Sequence, residues 1–494
     1  MWSQGAIVHQ YIRQKDFVLA KQAVDTMIDR FSEQPTLPQE LHLIAEMYKG
    51  ADKIDMALEL HQYNASHSPV SSMYTMQSQG ALIHYYIEQK DFYPAEYEYN
   101  NLLSRFKDQP TLPYEIYQYA LKYNSVGNSE KALQLHRYNS EHSPASSLYA
   151  MQSQGSIVHY YIEHKDFINA QKEYEVMLDR FKDQENLPEE IYQFALKYKG
   201  AGQVEKALEL HRYNAMYSLV SSMHSIWSQG ALVHYYIEHK DLAKAQSEYE
   251  TMLEHFKDQP SLPHEICLVA DKYQQVGQYE LSQEICQYGL ETYSDRSQRQ
   301  DFYKGLIKAY LSQKKDEQAS LASTEFISES SERSIYVKTM LDLGQIYREN
   351  RQWEQSIQYY QQALEKAESK EERINSNTGV AQVSVWLGND TKVQDAVNLL
   401  LSEYEQEKNL SHSMFVIGEE YYSSAFTDNT FARINPDKKD NLYKAIQVWK
   451  NNVDFPDDAI FKKDTYFFIG MAYMYAEDYP TAVKWYEDIV QQWP

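Results

Sequence analysis

Cysteine, glycine, proline and positive charge are all scarce in this chain, and each shortage closes off a class of protein. Two cysteines, Cys267 and Cys286, in 494 residues rule out a disulfide framework and a cysteine-built zinc site. Sixteen glycines and 14 prolines are too few for a chain dense in turns, which favours helices over many short strands. Forty-seven lysines and arginines face 71 aspartates and glutamates, a net charge of −24. Such a surface repels a phosphate backbone, so nucleic acid is not an expected partner. No run reaches the ~18 apolar residues of a membrane-spanning helix and mean hydropathy is −0.67, so no membrane insertion is expected. Glycine-rich phosphate loops, His-Glu-x-x-His pairs and nucleophile elbows are absent from the sequence. Neither a catalytic residue nor a cofactor or metal site is therefore expected.

What the chain has in excess is tyrosine, 44 residues, and repetition. MWSQGAIVHQYI at residue 1 returns as MQSQGALIHYYI at 76, MQSQGSIVHYYI at 151 and IWSQGALVHYYI at 226. Gly5, Gly80, Gly155, Gly230 and Gly305 stand 75 residues apart, and residues 76–150 and 151–225 agree at more than half of their positions. A fixed period of this length is the mark of a unit stacked on copies of itself. Within it lies a shorter one: Tyr11, Tyr48, Tyr86, Tyr123, Tyr161, Tyr198, Tyr236, Tyr273, Tyr310 and Tyr347 are 37 or 38 apart. Nine residues after each comes a small side chain, from Ala20, Ala57 and Ala95 to Ala319 and Ser356. A bulky residue late in one helix and a small one early in the next suits a tight helical hairpin. The pattern predicts an all-α solenoid of about thirteen helix-turn-helix units, about one tyrosine per hairpin marking the inter-helix contact.

The turns fit. Asp16, Asp91, Asp166 and Asp241 precede the second helix of the odd units, where an aspartate caps free N–H groups. The even units open on Thr36-Leu-Pro-Gln39, Thr111-Leu-Pro-Tyr114, Asn186-Leu-Pro-Glu189 and Ser261-Leu-Pro-His264. A capping side chain before a first-turn proline is expected there, with Gln39 and Glu189 completing capping boxes. Three stretches are expected: 1–300 with four copies of the 75-residue double hairpin, 301–410 with divergent hairpins, and 411–494 with C-terminal hairpins and an inserted loop near 427–440. The unit around Trp386 and Ala396 is the weakest. Met1 falls in mid-pattern and Pro494 at a repeat boundary, so the chain is expected to be a piece of a longer protein.

Two histidine sets invite a metal reading. His84 with Glu88, His159 with Glu163 and His234 with Glu238 stand at i, i+4 and share a helix face. Equivalent pairs are two hairpins apart, on the order of 20 Å at ordinary helix spacing, so they do not share an ion. They read as surface pairs or satisfied histidines. His61, His136 and His211, with Cys286 in the fourth copy, read as core residues. Cys267 aligns with His42, Tyr117 and Tyr192, and the pattern places no cysteine beside it.

Leu343-Gly344-x-x-Tyr347…Ser356-x-x-x-Tyr360-x-x-Ala363 and Gly470-x-x-Tyr473…Ala482-x-x-x-Tyr486 resemble the tetratricopeptide repeat, and the resemblance extends along essentially the whole chain. It implies a right-handed superhelix whose first helices line a concave groove. Two departures stand out: the period exceeds the family's 34, and the odd units carry glycine one turn early, with Val8, Ile83, Val158 and Val233 at the family position. The stretch 412–494 also looks like the repeat arrays of bacterial cell-envelope proteins, which implies that location.

Carried onto this sequence, the resemblance implies groove residues Gln77, Gly80, His84, Ile87 and Glu88 on one odd unit, with Gln152, His159 and Glu163, then His234 and Glu238, as copies. On the even units it implies Tyr114, Tyr117, Leu121 and Asn124, and Glu189, Tyr192, Leu196 and Lys199. A polar His/Glu stripe beside a Tyr/Leu stripe suits a protein or peptide with basic and aliphatic side chains. Duplication without selection would copy the same residues. The expected function is a non-catalytic protein-binding scaffold, the alternative being the sensor or substrate-recruiting arm of a larger multidomain enzyme or regulator. A helical-repeat RNA reader would need cationic tracks that this chain lacks.

Overall fold

The computed structural model describes the chain except residues 219, 405, 406, 408, 428–432, 454, 456–460 and 494 and the side chain at position 2. Its 26 α-helices, Trp2–Arg13 to Tyr479–Gln492, follow one another as thirteen hairpins. Among the described residues there is no strand, only a single bridge between Phe426 and Ile434. The chain divides into two compact units, Met1–Leu232 and Val233–Pro494.

The first unit runs through α1 (Trp2–Arg13), α2 (Phe17–Phe31), α3 (Leu37–Gly50), α4 (Ile54–His67), α5 (Met73–Glu88), α6 (Phe92–Phe106), α7 (Leu112–Ser125), α8 (Ser129–His142), α9 (Leu148–Glu163), α10 (Phe167–Phe181), α11 (Leu187–Gly200) and α12 (Val204–Tyr217). The two helices of each hairpin pack on each other, α4 packs on α5 and α8 on α9, and each first helix also packs on the first helix two along, α1 on α3 through α9 on α11. The odd-numbered helices therefore form one row. In the second unit first helices likewise pack on the first helix two along, and one core lies around Phe415, Tyr422 and Trp449. Of the insertion expected near 427–440, residues 428–432 lie outside the described residues, and its two described ends are joined by Thr427 N–H donating to the Arg433 carbonyl at 2.9 Å.

The small residues do what the hairpin needs: Ala20, Ala95, Ala170 and Ala245 are wholly buried. The tyrosines divide. Tyr48, Tyr123, Tyr198 and Tyr273 of the even units are at most 2% exposed, whereas Tyr11, Tyr86 and Tyr161 are half-buried. In the odd units the core position belongs to the following residue, Ile12, Ile87 and Ile162.

Local turn chemistry corrects two expectations. Asp16, Asp166 and Asp241 accept from the backbone N–H three residues on, at 3.1–3.3 Å, but Asp91 makes no such bond. Thr36, Thr111, Asn186 and Ser261 cap nothing with their side chains, and Gln39 and Glu189 complete no capping box. These four residues already have helical backbone angles. A capping side chain reaches back to the helix from extended backbone instead. The odd-unit turns place Lys15, Lys90, Lys165 and Lys240 at φ of 57–60°, where the even units use Gly127, Gly202 and Gly277.

Three core clusters each lie almost wholly within one 75-residue copy: one spans Val8 to Leu60, a second Met76 to Leu135, a third Ala150 to Leu210. Buried polar groups join one copy to the next. Asn64 Nδ2 donates to the Pro38 carbonyl at 2.9 Å and to Ser78 Oγ at 2.8 Å, while its Oδ1 accepts from Ser68 Oγ at 2.6 Å. Asn139 repeats this with Pro113, Ser153 and Ser143, and Asn214 with Pro188, Ser228 and Ser218. All three asparagines are fully buried, so each ties the first turn of its own hairpin to the first helix of the next copy.

Asn139→Ala leaves a buried carbonyl and hydroxyl without their donor, and the expected loss is about 2–3 kcal/mol. Urea unfolding should show it as a lower midpoint, with hydrogen exchange rising first in α8 and α9. Burial also lowers His84, His136 and His211 to about 4. The unfolded histidines take up protons near pH 6.5, so between about 6.5 and 4 the unfolded chain binds more protons and stability falls as pH falls. Burial raises the carboxyls Glu98, Glu115, Glu265, Asp271, Asp342 and Glu419, which act in the opposite sense, so the histidine contribution is read as a difference. As pH falls from about 6.5 to 4, the urea midpoint of the wild type should decline relative to that of His136→Leu/His211→Leu, which lacks two of the three histidines.

Candidate functional site

The row of odd-numbered helices in the first unit carries the residues that the repeat pattern assigns to a groove. Gln77, His84 and Glu88 lie on α5, Tyr114, Tyr117, Leu121 and Asn124 on α7, Gln152, His159 and Glu163 on α9, and Glu189, Tyr192, Leu196 and Lys199 on α11. All of them are exposed or half-buried, with Tyr114, Leu121 and Leu196 at 41–42%. Of the other expected groove residues, Gly80 is buried at the edge of a cavity, and Ile87 is a correction: it is 0% exposed, in the core of its copy. The frame shift already visible in the early glycine turns this position inward.

Two cavities gather most of these side chains. One of about 370 Å³ is lined by Gln77, His84 and Glu88 of α5, Tyr114 and Glu115 of α7, and His42, Glu46 and Lys49 of α3. The other, about 180 Å³, brings Leu121 and Asn124 of α7 to His159 and Glu163 of α9 and Lys197 of α11. Tyr114 and Tyr117 pack on Tyr149, with ring centroids at 4.9 and 5.9 Å. Tyr192 packs on His211 and Trp227. Gln152 borders neither cavity. His234 and Glu238 fall in the second unit.

The glutamates of this row are paired between helices rather than within one. Lys122 Nζ lies 2.5 Å from Glu88, Lys272 Nζ lies 2.5 Å from Glu238, and Lys197 bonds Glu163. Lys122 thereby holds the Glu88 carboxyl below its ordinary range. The first copy has Arg13 and Met47 at these two positions, so the pair is absent as a whole. The sequence held this signal: lysine follows glutamate by 34 residues in three copies and neither is present in the other.

The histidines answer to a second acidic series. His9 Nε2 lies 3.1 Å from Glu40, and His159 Nε2 lies 3.7 Å from Glu190. In the second copy His84 packs edge-on against Tyr119 at 5.0 Å, and Tyr119 Oη donates to Glu115 at 3.2 Å. Glu40, Glu115 and Glu265 are buried, and burial lifts Glu265 to about 7. These glutamates also account for the displaced glycines. A Cβ on Gly5 would come within 2.0 Å of Glu40 Oε1, and one on Gly155 within 2.6 Å of Glu190 Oε2. Each glutamate follows its glycine by 35 residues.

His61, His136 and His211 are 2–6% exposed and Cys286 is 1% exposed. The position beside them is His42, Tyr117 or Tyr192, with ring centroids 5.4–5.6 Å away. In the fourth copy the same neighbours are Cys267 and Cys286, so Cys267 does have a cysteine close by. Burial pushes Cys286 up to about 12 and raises Cys267, to which the neighbouring thiol adds. Thiols held protonated in this way are poor nucleophiles. Among the described residues no three histidine, cysteine or acidic side chains are placed to hold a metal ion.

Residues 339–374 match the sequence model of the tetratricopeptide repeat. A search of curated proteins finds no match. Among solved structures, the chain is similar to a Naa15/Naa10 assembly bound to HypK-THB, at 14% identity, TM-score 0.41, over 99% of this chain and 79% of that one. It is similar also to yeast Tom70, at 10% identity, TM-score 0.37, over 90% and 97%. PilF of Pseudomonas aeruginosa matches at 15% identity, TM-score 0.27, over 46% and 95%. None of these superpositions bears on what the chain binds. The sequence match places a tetratricopeptide repeat at residues 339–374, within an array of helical hairpins.

Proposed function

We propose that the chain is a non-catalytic protein-binding array, and that the odd-numbered helix row of the first unit receives an extended or helical segment of a partner. The observation that carries this reading is the cavity of about 370 Å³ where three first helices meet. It offers Glu46 and the buried Glu115 beside Lys49, with Glu88 matched by Lys122, and the exposed ring of Tyr114. A segment with basic and aliphatic side chains complements that lining. Farther along the row, Glu163 is matched by Lys197, and the exposed Leu121 and Leu196 offer contact area for aliphatic side chains. Apolar contact along the row holds the segment, and the acidic lining of the larger cavity favours its basic side chains.

A photo-crosslinking residue placed at Leu121 or at Leu196 should trap the partner in cell extracts, and the same residue at Ile168, exposed on a second helix, should not. Leu121→Asp/Leu196→Asp should weaken capture about tenfold or more. Glu88→Gln should leave capture measurable and flatten its salt dependence. Equal trapping from Ile168, or unchanged capture by the double aspartate variant, would remove the assignment of this face.

A further inference from the structure

The second helices of the first unit hold a cavity that the groove does not use. Between α2 and α4 lies a space of about 270 Å³, lined by Val24, Ile28, Tyr48, Met56, Leu60 and Tyr63. The other three copies carry tyrosine where Val24 stands: Tyr99, Tyr174 and Tyr249. Those rings are 5–7% exposed. Tyr99 sits edge-on to Tyr138 at 6.5 Å and Tyr174 edge-on to Tyr213 at 6.4 Å, and Tyr138 and Tyr213 are the counterparts of Tyr63. The first copy therefore keeps the walls of a phenol site and lacks the phenol. The buried hydroxyl of Tyr48 has no hydrogen-bond partner.

The rim adds a charge preference. Lys21 Nζ lies 2.6 Å from Glu59, which cancels both, and leaves Asp25 and Asp29 as the uncompensated charges of the lining. The corresponding residues of the second copy are Asn100 and Ser104. An apolar cavity of ring size takes up aromatic ligands, and two carboxylates at its mouth favour one that carries a cation.

We propose that this site binds a phenol ring borne next to a positive charge, as in an arylethylamine or a tyrosine adjoining lysine or arginine. The three sibling tyrosines are the internal version of its ring.

Calorimetric titration of the full chain with tyramine should give saturable binding at one site. Val24→Tyr, which restores the sibling residue and should fold at least as well, should abolish it. Asp25→Asn/Asp29→Asn should weaken tyramine several-fold while leaving phenol binding unchanged. Tyr99→Val should add a second site for phenol. A capped Tyr-Lys dipeptide binding more tightly than tyramine would assign the site to a protein segment, and the reverse order would assign it to a small phenolic amine. Absence of saturable tyramine binding, or equal binding by Val24→Tyr, would overturn the proposal. Because crosslinking from Leu121 reports on the other helix row, the two outcomes are separable.

Discussion

The junction asparagine is the contact on which the array depends. Hydrophobic burial is non-directional, so it does not by itself fix how one copy meets the next. Asn64, Asn139 and Asn214 supply direction: two donors and one acceptor, each used, in a site with no water-facing alternative. A buried amide of this kind disfavours every register that leaves one of its bonds unmade. Where the device lapses, the packing changes with it. The fourth copy has Gly289, and a Cβ there would lie 2.3 Å from Phe302, so ring packing takes over the junction. The asparagine returns near the C-terminus, where Asn452 Nδ2 donates to the Ser411 carbonyl at 3.0 Å and Thr465 Oγ1 at 3.1 Å.

Much of this was legible in the sequence, and what was not has a physical reason. Period gives hairpins because helix contact needs a large and a small residue in fixed register, and the count of thirteen follows from it. Caps are a matter of one residue's backbone angles, which the same threonine or serine adopts or not according to the turn before it. Thr36 shows this, as its hydroxyl turns to Met1 instead of to its own helix. The groove frame failed at Ile87 for a related reason. Its glycine, Gly80, lies one turn early to admit the Tyr119 hydroxyl and the Glu115 carboxyl from the next first helix, and a family frame carried by spacing alone has no place for them. Glu40, Glu115, Glu190 and Glu265 stand in the sequence at a fixed distance from each glycine, a pairing visible only once the two helices are known to touch.

Knowing these partners changes what repetition means for function. His84 and Glu88 recur because Glu115 and Lys122 recur opposite them, as Glu190 with Lys197 and Glu265 with Lys272, so their copying is accounted for by contact between helices. The residues that differ between copies are then the better guide to binding. On the even first helices the sequence runs Gln39, Tyr114, Glu189, His264 at one position and Glu46, Leu121, Leu196, Asp271 at another. These positions face outward on the row, where packing sets few limits, and the three 75-residue copies of the first unit therefore present different chemistry along one scaffold.

The same logic applies on the second helices, where packing does set limits. At a buried position a copy that departs from its siblings leaves either strain or space, because its neighbours are still shaped for the original side chain. Val24 leaves space: Tyr48 and Tyr63 keep the places that Tyr123 and Tyr138 hold around Tyr99. Losing a buried ring costs the first copy packing that its siblings retain. A ring supplied from outside restores that contact, so the shape its ligand must have is written three times in the chain itself.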